Sequence, residues 1–201
     1  MNGERFPVLT HNEDRLHTLW PELQGWFSDV ELRAYFDACD GVARVLEIGC
    51  WKGRSTMAAA RAAGMVLAVD TWRGDAYTGP GWFFPEFVAN CQAFEASNVF
   101  PLMMDFRRAL PMLAPILATF DVVLYDACHD YETTAAAFDL LLPHIRTDTP
   151  VLVHDYSPAY PQVQRACAEA CEASGRIVYR VDTLAALARP EQLTRGHWND
   201  T

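Results

Sequence analysis

Gly49 and Gly53 stand four residues apart (53 − 49), directly after an apolar run and directly before a helix-forming one. No other feature of the chain restricts its fold so tightly. The passage from Arg44 to Thr56 reads Arg-Val-Leu-Glu-Ile-Gly-Cys-Trp-Lys-Gly-Arg-Ser-Thr. Val45, Leu46 and Ile48 suit a strand buried on both faces of a parallel sheet. Met57 to Ala63 are mostly strong helix formers. The order is strand, tight glycine turn, helix. Glycine permits positive φ and close approach of a ligand to the backbone. The following helix aims its free N–H groups into the turn. Such a cradle holds a polar ligand, normally a nucleotide or nucleoside.

Two acids flank this turn. Glu47 interrupts the apolar strand near its carboxyl end, where burial without a partner is costly. A cationic or hydroxyl-bearing ligand would supply that partner. Val66-Leu67-Ala68-Val69 is a second apolar run, and it ends in Asp70, 21 residues after Gly49 (70 − 49). The spacing suits an acid that binds a ribose. The plainer alternative is that both acids cap nearby backbone.

The chain has 201 residues, enough for one domain with a full core. Its net charge of −10 and lack of basic runs disfavour nucleic acid as a partner. No apolar run is long enough for a membrane, and the first residues do not resemble a signal peptide. A cytoplasmic protein acting on a small molecule is expected. The cysteines are scattered, with no Cys-x-x-Cys, and read as free thiols. Cys167 and Cys171, one helical turn apart, either bind metal or pack on one helix face. Cys50 reads as a small turn residue.

The remaining elements alternate. Residues 1–27 suggest irregular structure with a short helix. Ser28 and Glu31 form a capping box for a helix from Asp29 to Cys39, with Leu32, Tyr35 and Phe36 inward. The loop from Thr71 to Pro85 carries Trp72, Tyr77, Trp82, Phe83 and Phe84 among glycines and prolines. It suggests a wall of a substrate site, a surface for adenine, a contact between copies of the chain in a homo-oligomer, or a cover for its own core. A helix is expected from Pro85 to Glu95 and a strand from Asn98 to Asp105. Pro111 and Pro115 should break the helical stretch from Leu110 to Leu117. A strand at 121–126, a helix from Tyr131 to Leu142 and a strand at Val151–Val153 follow. A helix from Pro161 to Ser174 and closing strands at 177–181 and 183–187 complete the core. This predicts an α/β, doubly wound, mostly parallel sheet of seven strands with an antiparallel edge. The divisions are an N-terminal cover (1–40), a core domain (41–190) and a polar tail (191–201).

Val-Leu-Glu-Ile-Gly-Cys-Trp-Lys-Gly-Arg-Ser resembles the first motif of class I S-adenosylmethionine-dependent methyltransferases, and Val69-Asp70-Thr71-Trp72 resembles the second-strand motif of a small bacterial branch. The resemblance implies S-adenosyl-L-methionine as cofactor and a Rossmann-like methyltransferase fold. Glu47, Gly49, Gly53 and Ser55 would face its methionine end. Asp70, with Thr71 and Trp72, would hold the ribose, Asp105 or Phe106 would lie near the adenine, and the N-terminal segment would cover the substrate.

In a doubly wound sheet, ligands bind beyond the carboxyl ends of the strands. Glu47, Asp70, Asp105, Asp126 and His154-Asp155 are all expected there, with His129 in the turn after the fourth strand. Acids so crowded would repel one another without a cation. A sulfonium is one such cation, and a divalent metal is another. Asp126-x-x-His129 and His154-Asp155 resemble positions in metal-dependent O-methyltransferases that act on macrolide sugars. Carried over, Asp126 and Asp155 would be metal ligands, Asp126 would also lie at the cofactor, and His129 would be the base for a hydroxyl-bearing substrate. His154 stands where that pattern has an acid. It either joins the ligand set, favouring manganese, iron or zinc over magnesium, or leaves the site without metal. Two further readings are an NAD-dependent oxidoreductase, which the missing Gly-x-Gly-x-x-Gly disfavours, and a cofactor-binding relative without activity.

Overall fold

The computed structural model describes residues 23–189 and the backbone of 199–200. The expectations for residues 1–22 and for most of the polar tail lie outside the described residues. The elements run α1 (Asp29–Cys39), β1 (Arg44–Ile48), α2 (Arg54–Ala62), β2 (Met65–Asp70), α3 (Phe84–Ala93), β3 (Val99–Met103) and α4 (Phe106–Leu113). A 3-10 turn (Ala114–Thr119), β4 (Val122–Tyr125), α5 (Tyr131–Leu141), β5 (Val151–Val153), α6 (Pro161–Ser174), β6 (Ile177–Val181) and β7 (Leu184–Ala188) follow. The sheet order is β3-β2-β1-β4-β5-β7-β6. The first five strands are parallel, and β7 runs antiparallel to both β5 and β6. This is the expected seven-stranded, doubly wound sheet with an antiparallel edge. A two-residue strand, β8 (Asn199–Asp200), extends it beyond β6. No helix among the described residues is long and apolar enough to cross a membrane.

Alternation along the strands divides the core into two layers. Leu46 and Ile48 of β1, with Val123 and Tyr125 of β4, face α4, α5 and α6. Val45, Val122 and Leu124 face the other way, onto Leu32 and Tyr35 of α1 and Ala58 and Ala59 of α2. Cys167 and Cys171 are buried in the first layer, which makes them packing residues on one face of α6. The Ser28–Glu31 capping box forms as predicted.

Two elements depart from expectation. Pro111 lies inside α4, which begins at Phe106 because Asp105 caps it and accepts the Arg107 N–H. Pro111 removes one N–H bond without ending the helix, and the chain tightens into the 3-10 turn after it. The third strand ends at Met103, short of Asp105. Phe100 and Met103 on it are exposed, as an edge strand allows.

Register decides which residues meet at the rim. Ile48 pairs with Val69 and with Tyr125, and Tyr125 pairs with Val153. Gly49, Asp70, Asp126 and His154 therefore leave adjacent strands at the same level.

Candidate active site

The strand ends enclose a cleft of about 410 Å³, within the range of small-molecule sites. Gly49 begins its floor with φ +87°, and an added Cβ would meet the Asp126 carbonyl oxygen at 2.1 Å. No side chain fits there. Gly53, at φ +90°, starts α2.

Asp70 binds the turn to the end of β2. Its Oδ2 accepts the N–H groups of Cys50 (2.7 Å) and Trp51 (2.8 Å), and its Oδ1 accepts that of Trp72 (2.7 Å). A carboxylate offers about four lone-pair sites, so capacity remains for a ligand hydroxyl. The backbone-capping alternative and the ligand-binding one are thus compatible for this acid. Thr71 lines the cleft beside it. Trp72 is buried, packed on Phe84 and Phe87, and its indole N–H donates to the Trp51 carbonyl.

Glu47 lies beneath the turn and is not among the cleft-lining residues. It alternates with Leu46 and Ile48 and so points toward α2. Its Oε1 accepts the hydroxyls of Ser55 (2.5 Å) and Thr56 (3.1 Å), and its Oε2 is buried without a partner. Burial pushes its carboxyl up to about 8, against the pull of Ser55 and Thr56. Ser55 is shared between Glu47 and the cleft wall. At the far end of the cleft stand Asp105, Phe106 and Arg107.

The ends of β4 and β5 carry the titratable cluster. Asp126, His154 and Asp155 each offer a ligand atom, all within 4.8 Å of one another. His154 Nδ1 lies 3.1 Å from Asp155 Oδ2 and 3.3 Å from Asp126 Oδ1. His129 Nε2 is 2.9 Å from Asp155 Oδ2 and 4.0 Å from Asp126 Oδ1. Its Nδ1 is buried and unpartnered. Asp155 takes a left-handed φ of +60°, strain that turns its carboxylate back between the two histidines.

Burial lowers the pKa of His154, but Asp126, Asp155 and Glu31 outweigh it and hold the ring up to about 12. Burial opposes ionisation of Asp155 too, yet the bonds from His129 and His154 keep its carboxyl well below the usual range. Burial raises Asp126 despite its histidine neighbours. For His129, burial works against the charge, and Asp155 more than reverses that, so its pKa lies above the ordinary value.

Sequence reasoning brought the Asp70 turn and the Asp126–His129–His154–Asp155 group to one rim. It named a covering N-terminal segment and an aromatic loop, but not the contacts that close the cleft. Gly25, Trp26 and Phe27 line the cleft from the N-terminal side. Arg54 ties that strap down, donating to the carbonyls of Phe27 (3.1 Å) and Leu23 (2.9 Å) and to Asp29 (3.2 Å). Phe27 stacks on His154 at 4.1 Å and 9°. Tyr77 and Tyr160 both pack against His129, with ring centroids at 4.6 and 4.7 Å, and against each other at 5.9 Å. Tyr77 belongs to the aromatic loop, which the sequence did single out. No local pattern marked Phe27, Arg54 or Tyr160.

The sequence matches the model of a protein family described as a methyltransferase domain, over residues 46–156. No curated protein matches it. Solved structures do match. An O-methyltransferase from Bacillus cereus in complex with S-adenosylhomocysteine has a TM-score of 0.65 at 16% identity, covering 90% of this chain and 94% of that one. TomG, an O-methyltransferase from Streptomyces achromogenes involved in tomaymycin synthesis and bound to S-adenosylmethionine, has a TM-score of 0.61 at 20% identity, covering 90% and 92%. The calicheamicin methyltransferase CalS11 has a TM-score of 0.63 at 14% identity, covering 87% and 90%. At these identities the likeness is one of fold.

Proposed function

The chain belongs to the methyltransferase-domain family, and on that premise we propose that it is a class I S-adenosylmethionine-dependent enzyme that methylates a hydroxyl oxygen of a small molecule. The observation that carries this reading is the 2.9 Å contact of His129 with Asp155, inside an Asp126–His154–Asp155 group on the same cleft as the Asp70 turn. An amine attacks with its own lone pair, whereas a hydroxyl must first lose a proton. A histidine held among carboxylates at the methyl-transfer end serves the second case.

When bound, the cofactor supplies a methyl group on a cationic sulfur. The cleft fits it on two counts: the floor at Gly49 admits no Cβ, and the wall carries carboxylates that favour a positive charge. Asp70 would take a ribose hydroxyl with its spare lone pair. Asp105 and Phe106 would bracket the adenine, and Ser55 would stand at the methionine end. His129, oriented by Asp155 at Nε2, would accept the hydroxyl proton. Holding acceptor and methyl in line would supply most of the rate.

The Asp126–His154–Asp155 group also fits a divalent cation. Ligand atoms bound to one ion at about 2.1 Å stand roughly 3 Å apart, which suits 3.1 and 3.3 Å at His154 Nδ1. A mixed oxygen and imidazole set favours manganese over magnesium. Such an ion would lower the pKa of the acceptor hydroxyl and orient it. A second reading rests on the same ring. His154, held as imidazolium among Glu31, Asp126 and Asp155, would itself be the cation.

The test is transfer of a labelled methyl group to paired small-molecule alcohols, phenols and amines, with manganese or with a chelator. Transfer to oxygen that collapses on chelation supports the metal form, and transfer indifferent to chelation supports the imidazolium form. Transfer to nitrogen alone would overturn the proposal.

A further inference from the structure

Glu31 is buried, 2% exposed, although it sits in the first turn of α1, far in sequence from the strand ends. Its two oxygens face different ways. Oε1 accepts the N–H (2.9 Å) and hydroxyl (2.5 Å) of Thr183 in the β6–β7 turn. Oε2 accepts the Ser28 N–H at 2.8 Å and lies at an ion-pair distance of 3.5 Å from His154 Nε2, which is buried and makes no hydrogen bond. That ring is 4% exposed, and Phe27 covers its face. Its opposite nitrogen faces Asp126 and Asp155. The capping box alone requires nothing of His154.

We propose that Glu31 is a positioning residue that, through the Nε2 edge of His154, holds His154 Nδ1 toward Asp126 and Asp155 and thereby completes a cation site from α1. The proposal rests on the metal form of the reading above. A histidine that ligates through one nitrogen commonly donates from the other to a carboxylate, which fixes its tautomer and orientation and strengthens it as a ligand. Glu31, His154 and the Asp126–Asp155 pair stand in that order. Phe27 fixes the plane of the ring and Glu31 fixes its edge. α1 and the strap before it would then be part of the site.

The experiment measures manganese affinity by electron paramagnetic resonance on the full chain. It compares wild type, Glu31→Gln and Thr183→Val, with S-adenosylhomocysteine affinity as the control for an intact cleft. Glutamine has one acceptor oxygen, enough for Ser28 or for Thr183 but not for both, so retained S-adenosylhomocysteine affinity is the check that Glu31→Gln has folded. The expected result is manganese binding weakened about 10- to 100-fold in Glu31→Gln, with S-adenosylhomocysteine affinity unchanged. Thr183→Val removes the anchor hydroxyl and leaves the His154 contact, so its manganese affinity should equal that of wild type. Equal affinity in wild type and Glu31→Gln overturns the proposal while leaving the cation site standing. An equal loss in both variants also overturns it, because Glu31 would then act only as the anchor of α1. Absence of manganese binding in wild type overturns the cation site and this inference with it, whereas methyl transfer to oxygen would survive.

Discussion

Asp70 and Cys50 lie 20 residues apart in sequence, yet the Cys50 N–H donates to Asp70 Oδ2 at 2.7 Å. The acid that would hold a ribose is thus also the strut of the glycine turn. With Trp51 and Trp72 it satisfies three N–H groups that no strand or helix bond serves. One side chain couples the shape of the turn to the ligand it faces.

Asp70→Ala should therefore fail in two ways at once. S-adenosylmethionine binding should weaken by about 1–3 kcal/mol, the cost of leaving buried polar groups unpaired. The melting temperature should fall as well. Calorimetric titration and thermal unfolding measure the two losses, and unchanged affinity would show that the ribose does not lie at Asp70.

Gly49→Ala should destabilise the protein by about 2 kcal/mol or more in urea unfolding. Its Cβ would stand 2.1 Å from a backbone oxygen, and its φ is +87°. Gly41→Ala is the control: its φ is +73°, but nothing lies within 4 Å, so only the local backbone strain remains. If the two variants lose the same stability, contact with the Asp126 carbonyl is not what demands a glycine.

Glu47 sets a pH dependence of stability. Its folded pKa is raised to about 8 from 4.5, chiefly by burial. The stability this contributes is fully present below 4.5 and is lost as pH rises to about 8, because the unfolded chain ionises first. Glu47→Gln should remove that slope. By pH 8 its stability relative to wild type should have gained on the order of a few kcal/mol. Urea unfolding from pH 4.5 to 8 measures it, and parallel curves for the two proteins would refute it.

His129→Ala should lower kcat by about 100-fold or more while cofactor affinity holds. In wild type, kcat/KM should rise with pH through a pKa above the usual 6.5, since Asp155 stabilises the protonated ring against its burial. The variant should lack that limb. A wild-type profile flat from pH 6 to 9 would remove His129 from the proton transfer.

Much of this was legible in residues alone. The apolar run of Val45, Leu46 and Ile48, the break at Gly49, the helix start at Pro161 and the Ser28–Glu31 cap are local signals, so they predicted the order of elements closely. The α4 region was misjudged because tertiary packing of Phe106 and Leu110 and the Asp105 cap outweighed what Pro111 disfavours. For Glu31 the sequence did provide a role, the capping box, and that local explanation concealed a second one.

The sequence by itself determined the doubly wound order, the glycine turn and the set of acids at the strand ends, because periodicity and backbone restriction act within a few residues. Only the tertiary structure decided how those acids are shared. Glu47 went beneath the floor to accept from Ser55 and Thr56, Asp70 took up the turn, and Glu31 of α1 took Thr183 as donor and came within 3.5 Å of His154. The reason is electrostatic: a buried carboxylate is costly until it finds a donor, and which donor lies within about 3 Å depends on strand register and helix docking, which no stretch of sequence carries alone.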